Sequence, residues 1–209
     1  MFVEQCGLVH SLPRAITTCV HVFTFLLLHL QLTMYKLKLL SILLILSVNF
    51  CYAQLSTKEI TALKGDMVKA VDDVKLTESL LFKLNKLSDK TALVTAYIGT
   101  LEALKAKHAW NPYNKIKYVK VSMQTMQKAI NMDKENMEIR FMRYSIQHYT
   151  PSFLGFSKEL ILDRKEIVKH YQNGSFGVAD QALVKNVAKF MVESNRCTPE
   201  EVKILKKYI

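Results

Sequence analysis

The stretch that decides the fold is Ile130–Gln147, INMDKENMEIRFMRYSIQ. Its first residues read as the end of one helix, and Asp133–Asn136 as a polar turn into the next. Beyond that turn, Ile139, Met142, Ile146 and Tyr149 fall on one helical stripe, and Met137, Phe141, Tyr144 and His148 on a second. Arg140, Arg143 and Gln147 share the face that is left. A helix apolar on two sides is an inner helix, contacted before and behind. An unpaired buried charge costs several kcal/mol, so guanidinium groups on the third face need partners. Glu159, Asp163 and Glu166 on the following helix are the nearest acids, with Glu102 behind them. They would make an internal ion-pair network that fixes helix register. The other reading of Arg140, Arg143 and Gln147 is a groove that grips a carboxylate or phosphate, for which a guanidinium fork is well shaped.

The flanking residues repeat the helical pattern. Gly and Pro are sparse, period-two alternation is absent, and apolar residues recur at three and four, which specifies an all-α fold. Ser56-Thr57-Lys58-Glu59 is a capping box. The helix it opens carries Ile60, Leu63, Met67, Val71 and Val74. Leu76–Leu87 follows, with Leu80, Leu81, Leu84 and Leu87. Ser88-Asp89 is read as the cap of a third helix from about Thr91 to His108, which holds a row of small residues, Ala96, Gly99, Ala103 and Ala106. Glycine inside a helix costs about 1 kcal/mol relative to alanine, so Gly99 implies close approach of a neighbour. Ala109–Asn114 (AWNPYN) reads as a loop, because Asn111 before Pro112 is pushed out of helical conformation.

The fourth helix, Lys115–Met132, has Ile116, Val119, Met123, Met126 and Ile130 on its inner stripe and Lys117, Lys120, Gln124 and Lys128 opposite. Later helices are expected over about Ser157–Gln172 and Ala179–Ser194. A short last one is announced by Thr198-Pro199-Glu200-Glu201, a cap with proline at the first helical position and acids in the first turn. Short connections imply antiparallel neighbours, hence stacked helical hairpins.

Residues 34–53 have the parts of a secretory signal: Lys36 and Lys38, the apolar run Leu39–Phe50, and small residues Cys51 and Ala53 at the −3 and −1 positions. The run is short of the roughly 20 residues that span a bilayer. Cleavage would leave Gln54 first and a domain of 54–209, exported to the periplasm or secreted. Residues 1–33 contain a second apolar run, Ile16–Leu32, and read as an over-extended start before Met34. The alternative is an uncleaved membrane anchor. Setting aside Arg14, Lys36, Lys38 and Glu4 reduces the chain's 29 basic and 18 acidic residues to 26 and 17 over 54–209, a net charge of +9. Of four cysteines only Cys197 lies there, so no internal disulfide is available.

Ser122–Asn136, SMQTMQKAINMDKEN, resembles the end of a tetratricopeptide repeat. Ser122, Met126 and Ala129 match its small, large and small positions, and Met132-Asp133 its closing turn; Lys134 stands where that family has proline. Ile98-Gly99 is similar to the Leu-Gly pair of the first helix, with a spacing to Ser122 longer than the regular repeat. The resemblance covers roughly 91–172 and implies a partner-binding helical module. The whole pattern is also similar to small exported bacterial helical proteins, which implies no activity.

Chemistry-bearing motifs are few. His108, His148 and His170 stand apart without metal-ligand spacing, and no nucleophile elbow or phosphate loop occurs. Asp72-Asp73 and Glu200-Glu201 read as solvated or capping groups, and Asn173-Gly174-Ser175 as a turn that also fits a glycosylation sequon. The expectation is a non-catalytic protein without cofactor or metal. Residues 103–132 hold six lysines and no acid, interleaved with Trp110, Tyr113 and Tyr118. Trp110, Tyr113, Lys117 and Lys120 are therefore candidate contacts for a protein partner, or for an anionic lipid or polysaccharide surface. Export argues against nucleic acid. The plainer reading of Trp110 is packing over a helix end.

Overall fold

The computed structural model describes residues 25–41 and 56–209. The chain divides into two units, Met1–Tyr52 and Ala53–Ile209. In the first, residues 25–41 form an exposed helix. Among the described residues no helix is long and apolar enough to cross a membrane. Most of the apolar run 39–50, the start of the run 16–32 and the Ala53–Gln54 junction lie outside the described residues.

Residues 56–209 are helical, with no strand. The α-helices are α1 (Thr57–Ala70), α2 (Val74–Asn85), α3 (Ala92–His108), α4 (Pro112–Met132), α5 (Met137–Tyr149), α6 (Leu160–Asn173), α7 (Gln181–Glu193) and α8 (Pro199–Leu205). Local chemistry sets their ends. Ser56 and Glu59 close the expected capping box on α1, and Thr198 and Glu201 close one on α8, which opens with Pro199. Side chains of Asp73, Asn136 and Asp180 cap α2, α5 and α7. Each satisfies an amide that has no carbonyl partner inside its own helix.

Several boundaries differ from the sequence reading. Helix α1 stops at Ala70, because Asp73 caps the next helix, and Val71 and Val74 are left exposed. Thr91, not Ser88-Asp89, caps α3. Asn111 is extended as expected, but its side chain caps α4, so Pro112 opens that helix inside the segment read as a loop.

Two cores share one wall. Leu63, Leu84, Ala96, Leu101, Met126, Ile139 and Met142 belong to the first, which joins α1 to α5. Met137, Tyr144, Ile167, Tyr171, Val187, Met191 and Leu205 belong to the second, which joins α5 to α8. Helix α5 contributes one stripe to each, which is why it is apolar on two sides. Tyr149 is the exception in its stripe. It is exposed and lies against Phe190 at the rim of the second core.

Helices α3 and α4 pack along each other more extensively than any other pair. Gly99 makes this possible. A Cβ there would lie 2.7 Å from Met126 Sδ and 3.3 Å from its backbone nitrogen. Ser122 Oγ donates to the Gly99 carbonyl at 2.7 Å, tying the two helices at the same level. The buried residues of α4 all lie from Ser122 onward. Ile116, expected on the inner stripe, is exposed.

Candidate functional site

Arg140 and Arg143 of α5 and Asp163 of α6 form one buried network, while Glu102 Oε2 on α3 is buried without a hydrogen-bond partner. Asp163 on α6 is 0% exposed, Arg143 2%, Gln147 1% and Arg140 8%. Arg143 meets Asp163 as a fork, Nε to Oδ2 at 2.6 Å and Nη2 to Oδ1 at 2.8 Å. Arg140 Nη1 donates to Asp163 Oδ1 at 3.1 Å, and its Nε and Nη2 donate to the Lys134 carbonyl at 3.1 and 3.0 Å. Gln127 Oε1 accepts from Arg143 Nη1 at 2.6 Å. Gln147 Nε2 donates to Asp163 Oδ2 at 3.3 Å, while its Oε1 accepts the backbone N–H of Glu159 at 3.1 Å. One carboxylate therefore faces two guanidinium groups, and the remaining donors go to neutral acceptors. Of the four candidate acids only Asp163 enters. Glu159 gives its amide, Glu166 pairs with Lys169, and Glu102 lies on α3 beside Thr125. Arg140, Arg143 and Gln147 line no open groove.

A second buried cluster had no motif to announce it. Glu138, in the first turn of α5, accepts from Tyr97 Oη at 2.7 Å and Lys64 Nζ at 2.9 Å. It links α1, α3 and α5, and burial together with the adjoining carboxylate raises the Tyr97 phenol above its ordinary range.

The remaining candidate residues gather at the α3–α4 loop and the first turns of α4, here called the tip. Trp110 is 96% exposed, so its indole covers no helix end. Tyr113 is also exposed, and Lys117, Lys120, Gln124 and Lys128 continue its outward stripe along α4. Two of the six lysines are engaged. Lys107 Nζ donates to Asp72 at 2.8 Å and to the Val71 carbonyl at 2.7 Å, and Lys105 Nζ stands 4.9 Å from the centre of the Tyr118 ring. Glu102, half-buried, has a carboxyl raised by desolvation.

Behind Trp110 lies a cleft of about 290 Å³ between the start of α2, the end of α3 and the start of α4. Glu78, Lys105, His108, Trp110, Asn114 and Tyr118 are among its lining. His108 Nε2 lies 3.2 Å from the Ala70 carbonyl. A carbonyl only accepts, so Nε2 is the donor in this contact and Nδ1 is the ring nitrogen it leaves over.

The other singled-out groups have structural partners. Arg196 Nε donates to His148 Nδ1 at 2.9 Å, and burial and that arginine lower the His148 pKa. His170 Nδ1 lies 2.7 Å from the Ser175 carbonyl. Burial and Glu201 push the Cys197 thiol up to about 11, so it is not a reactive thiolate. Asn173 ends α6, and Gly174 supplies the left-handed residue that terminates it. Among the described residues no three His, Cys, Asp or Glu side chains are grouped to hold a metal ion.

No family model matches this chain, and no curated protein or solved structure matches it either.

Proposed function

We propose that this chain is an exported, non-catalytic helical module that binds an acidic protein partner through the α3–α4 tip, in support of a cell-envelope assembly. The observation that carries the reading is the contrast between inside and outside. Arg140 and Arg143 are matched by Asp163, whereas the tip presents an exposed indole, an exposed tyrosine and, along α4, a lysine stripe with no ion pair among the described residues. Exposed aromatics that a partner would desolvate, with a basic surround, suit an acidic partner surface.

The tetratricopeptide-like reading, as stacked antiparallel hairpins, draws support from the contact of its two matching segments. Gly99 of the first meets Ser122 and Met126 of the second. The pairing of α3 with α4 and of α5 with α6 fits the same arrangement. The signal-like segment 34–53 motivates export.

A second reading, an anionic lipid or polysaccharide surface, is favoured by one feature. Exposed Ile116 and Val121 flank the lysine stripe below Trp110 and Tyr113, an amphipathic arrangement that suits a membrane interface.

The test is capture from envelope extract by the wild-type chain and by Lys117→Glu/Lys120→Glu. Proteins should be retained at low salt, released by about 0.5 M salt as exposed charges are screened, and absent from the variant. Equal capture by both chains overturns the assignment to the tip. Retention by anionic vesicles but by no protein transfers it to the second reading.

A further inference from the structure

The cleft behind Trp110 is more specific than a basic surface requires. We propose that it is a binding site for one ring of a neutral saccharide, stacked on the Trp110 indole. This rests on the reading of the α3–α4 tip as the binding surface.

Charge narrows the ligand class first. Glu78 and Lys105 both line the cleft and oppose each other in sign. An anion would meet the Glu78 carboxylate. A cation would compete for aromatic faces with Lys105, which already stands 4.9 Å from the Tyr118 ring centre. An uncharged ligand avoids both penalties.

Hydrogen-bonding capacity narrows it further. The lining offers acceptors at Glu78 and, with the imidazole neutral, at His108 Nδ1, the nitrogen left over by the bond to Ala70. It offers donors at Lys105, at the Trp110 indole and at Asn111 Nδ2, whose amide oxygen is taken by the Tyr113 N–H at 2.8 Å. Asn114 and the Tyr118 hydroxyl can do either. Hydroxyls that donate and accept from successive ring carbons match such a mixed rim, and the apolar face of a sugar ring matches an indole. At about 290 Å³ the cleft sits at the small end of ligand sites, room for a ring or two of a longer chain.

Trp110 is the only tryptophan, so its fluorescence reports this site alone. The full chain is titrated with maltotriose, cellotriose and chitotriose, and binding heats are measured in parallel for wild type, Trp110→Ala and Glu78→Gln. The expected result is a saturable change in emission with at least one trisaccharide that persists in about 0.5 M salt. Trp110→Ala should lower affinity at least about tenfold, as loss of a central aromatic anchor does, and Glu78→Gln should weaken binding with the fold intact. No response to any of the three at about 10 mM, weaker than any useful affinity, overturns the proposal. A response confined to anionic vesicles or polyanions and abolished by salt also overturns it while leaving the tip as the binding surface. Salt-sensitive capture of a protein partner through Lys117 and Lys120 is scored separately, so the two readings fail independently.

Discussion

Replacing Asp163 by asparagine tests the interior most sharply. Asparagine keeps the shape of the side chain and removes its charge. Its amide oxygen can still accept, but its NH2 faces guanidinium donors. Two positive groups, 2% and 8% exposed, are then left in one buried site. Breaking a buried ion pair from one side costs about 3–5 kcal/mol. The Lys134 carbonyl and Gln127 continue to serve part of both guanidinium groups, so we expect the lower half, about 3–4 kcal/mol. At roughly 2–4 °C per kcal/mol for a chain of this size, the thermal midpoint should fall by about 6–16 °C. Far-UV circular dichroism through thermal and urea unfolding measures it. The companion variant Arg140→Met/Arg143→Met/Asp163→Leu removes every charge at once and should recover most of the loss, since apolar replacement of a whole buried network is often neutral or better. Asp163→Asn melting within about 2 °C of wild type refutes the reasoning. So does a triple variant as unstable as the single one.

Other expectations follow from the same geometry. Arg143→Ala, which deletes the fork, should cost about 2–4 kcal/mol and more than Arg140→Ala, whose other donors reach only a carbonyl; urea midpoints decide the order. Gly99→Ala gains about 1 kcal/mol of helix propensity but drives a methyl into Met126. Overpacking of about 1–3 kcal/mol should outweigh that gain, and a stabilised variant would show that α3 and α4 are not in close contact. His148 has a folded pKa below its unfolded value, so the unfolded chain binds more protons in that window. Its contribution is full above the unfolded pKa and is lost as pH falls through it toward the folded value. His148→Gln should flatten that part of the stability–pH curve, and an unchanged slope would contradict the lowering of its pKa by burial and Arg196. Lys117→Glu/Lys120→Glu should leave stability within about 0.5 kcal/mol, because both side chains are exposed.

Much of this could be read from the sequence where a period of 3.6 was the only signal required. The two stripes of α5 mark an inner helix because an apolar side chain has one way to satisfy itself. The partner of its arginines was also open to a finer reading. Leu160, Asp163, Ile167 and Tyr171 share one stripe of α6, and Asp163 is the acid on it, whereas Glu159 and Glu166 lie off it. The Lys64–Glu138–Tyr97 cluster was not readable, because three residues far apart in the chain meet only once three helices have packed. Helix starts were misplaced where one capping residue was chosen over another a few positions away, as with Ser88-Asp89 against Thr91. Between the two readings of Trp110, exposed contact or cover for a helix end, the sequence favours the second for a different reason. A large aromatic in a short loop is expected to find cover, and only the packed arrangement shows that no helix end reaches it.

The solvent exposure of Trp110 in the native protein decides whether the aromatic and basic tip is free. Native emission should lie at nearly the same wavelength as that of the urea-unfolded chain, with iodide quenching at least as efficient as in that state. A native emission shifted clearly to shorter wavelength and shielded from iodide would place the indole against the protein and contradict the account.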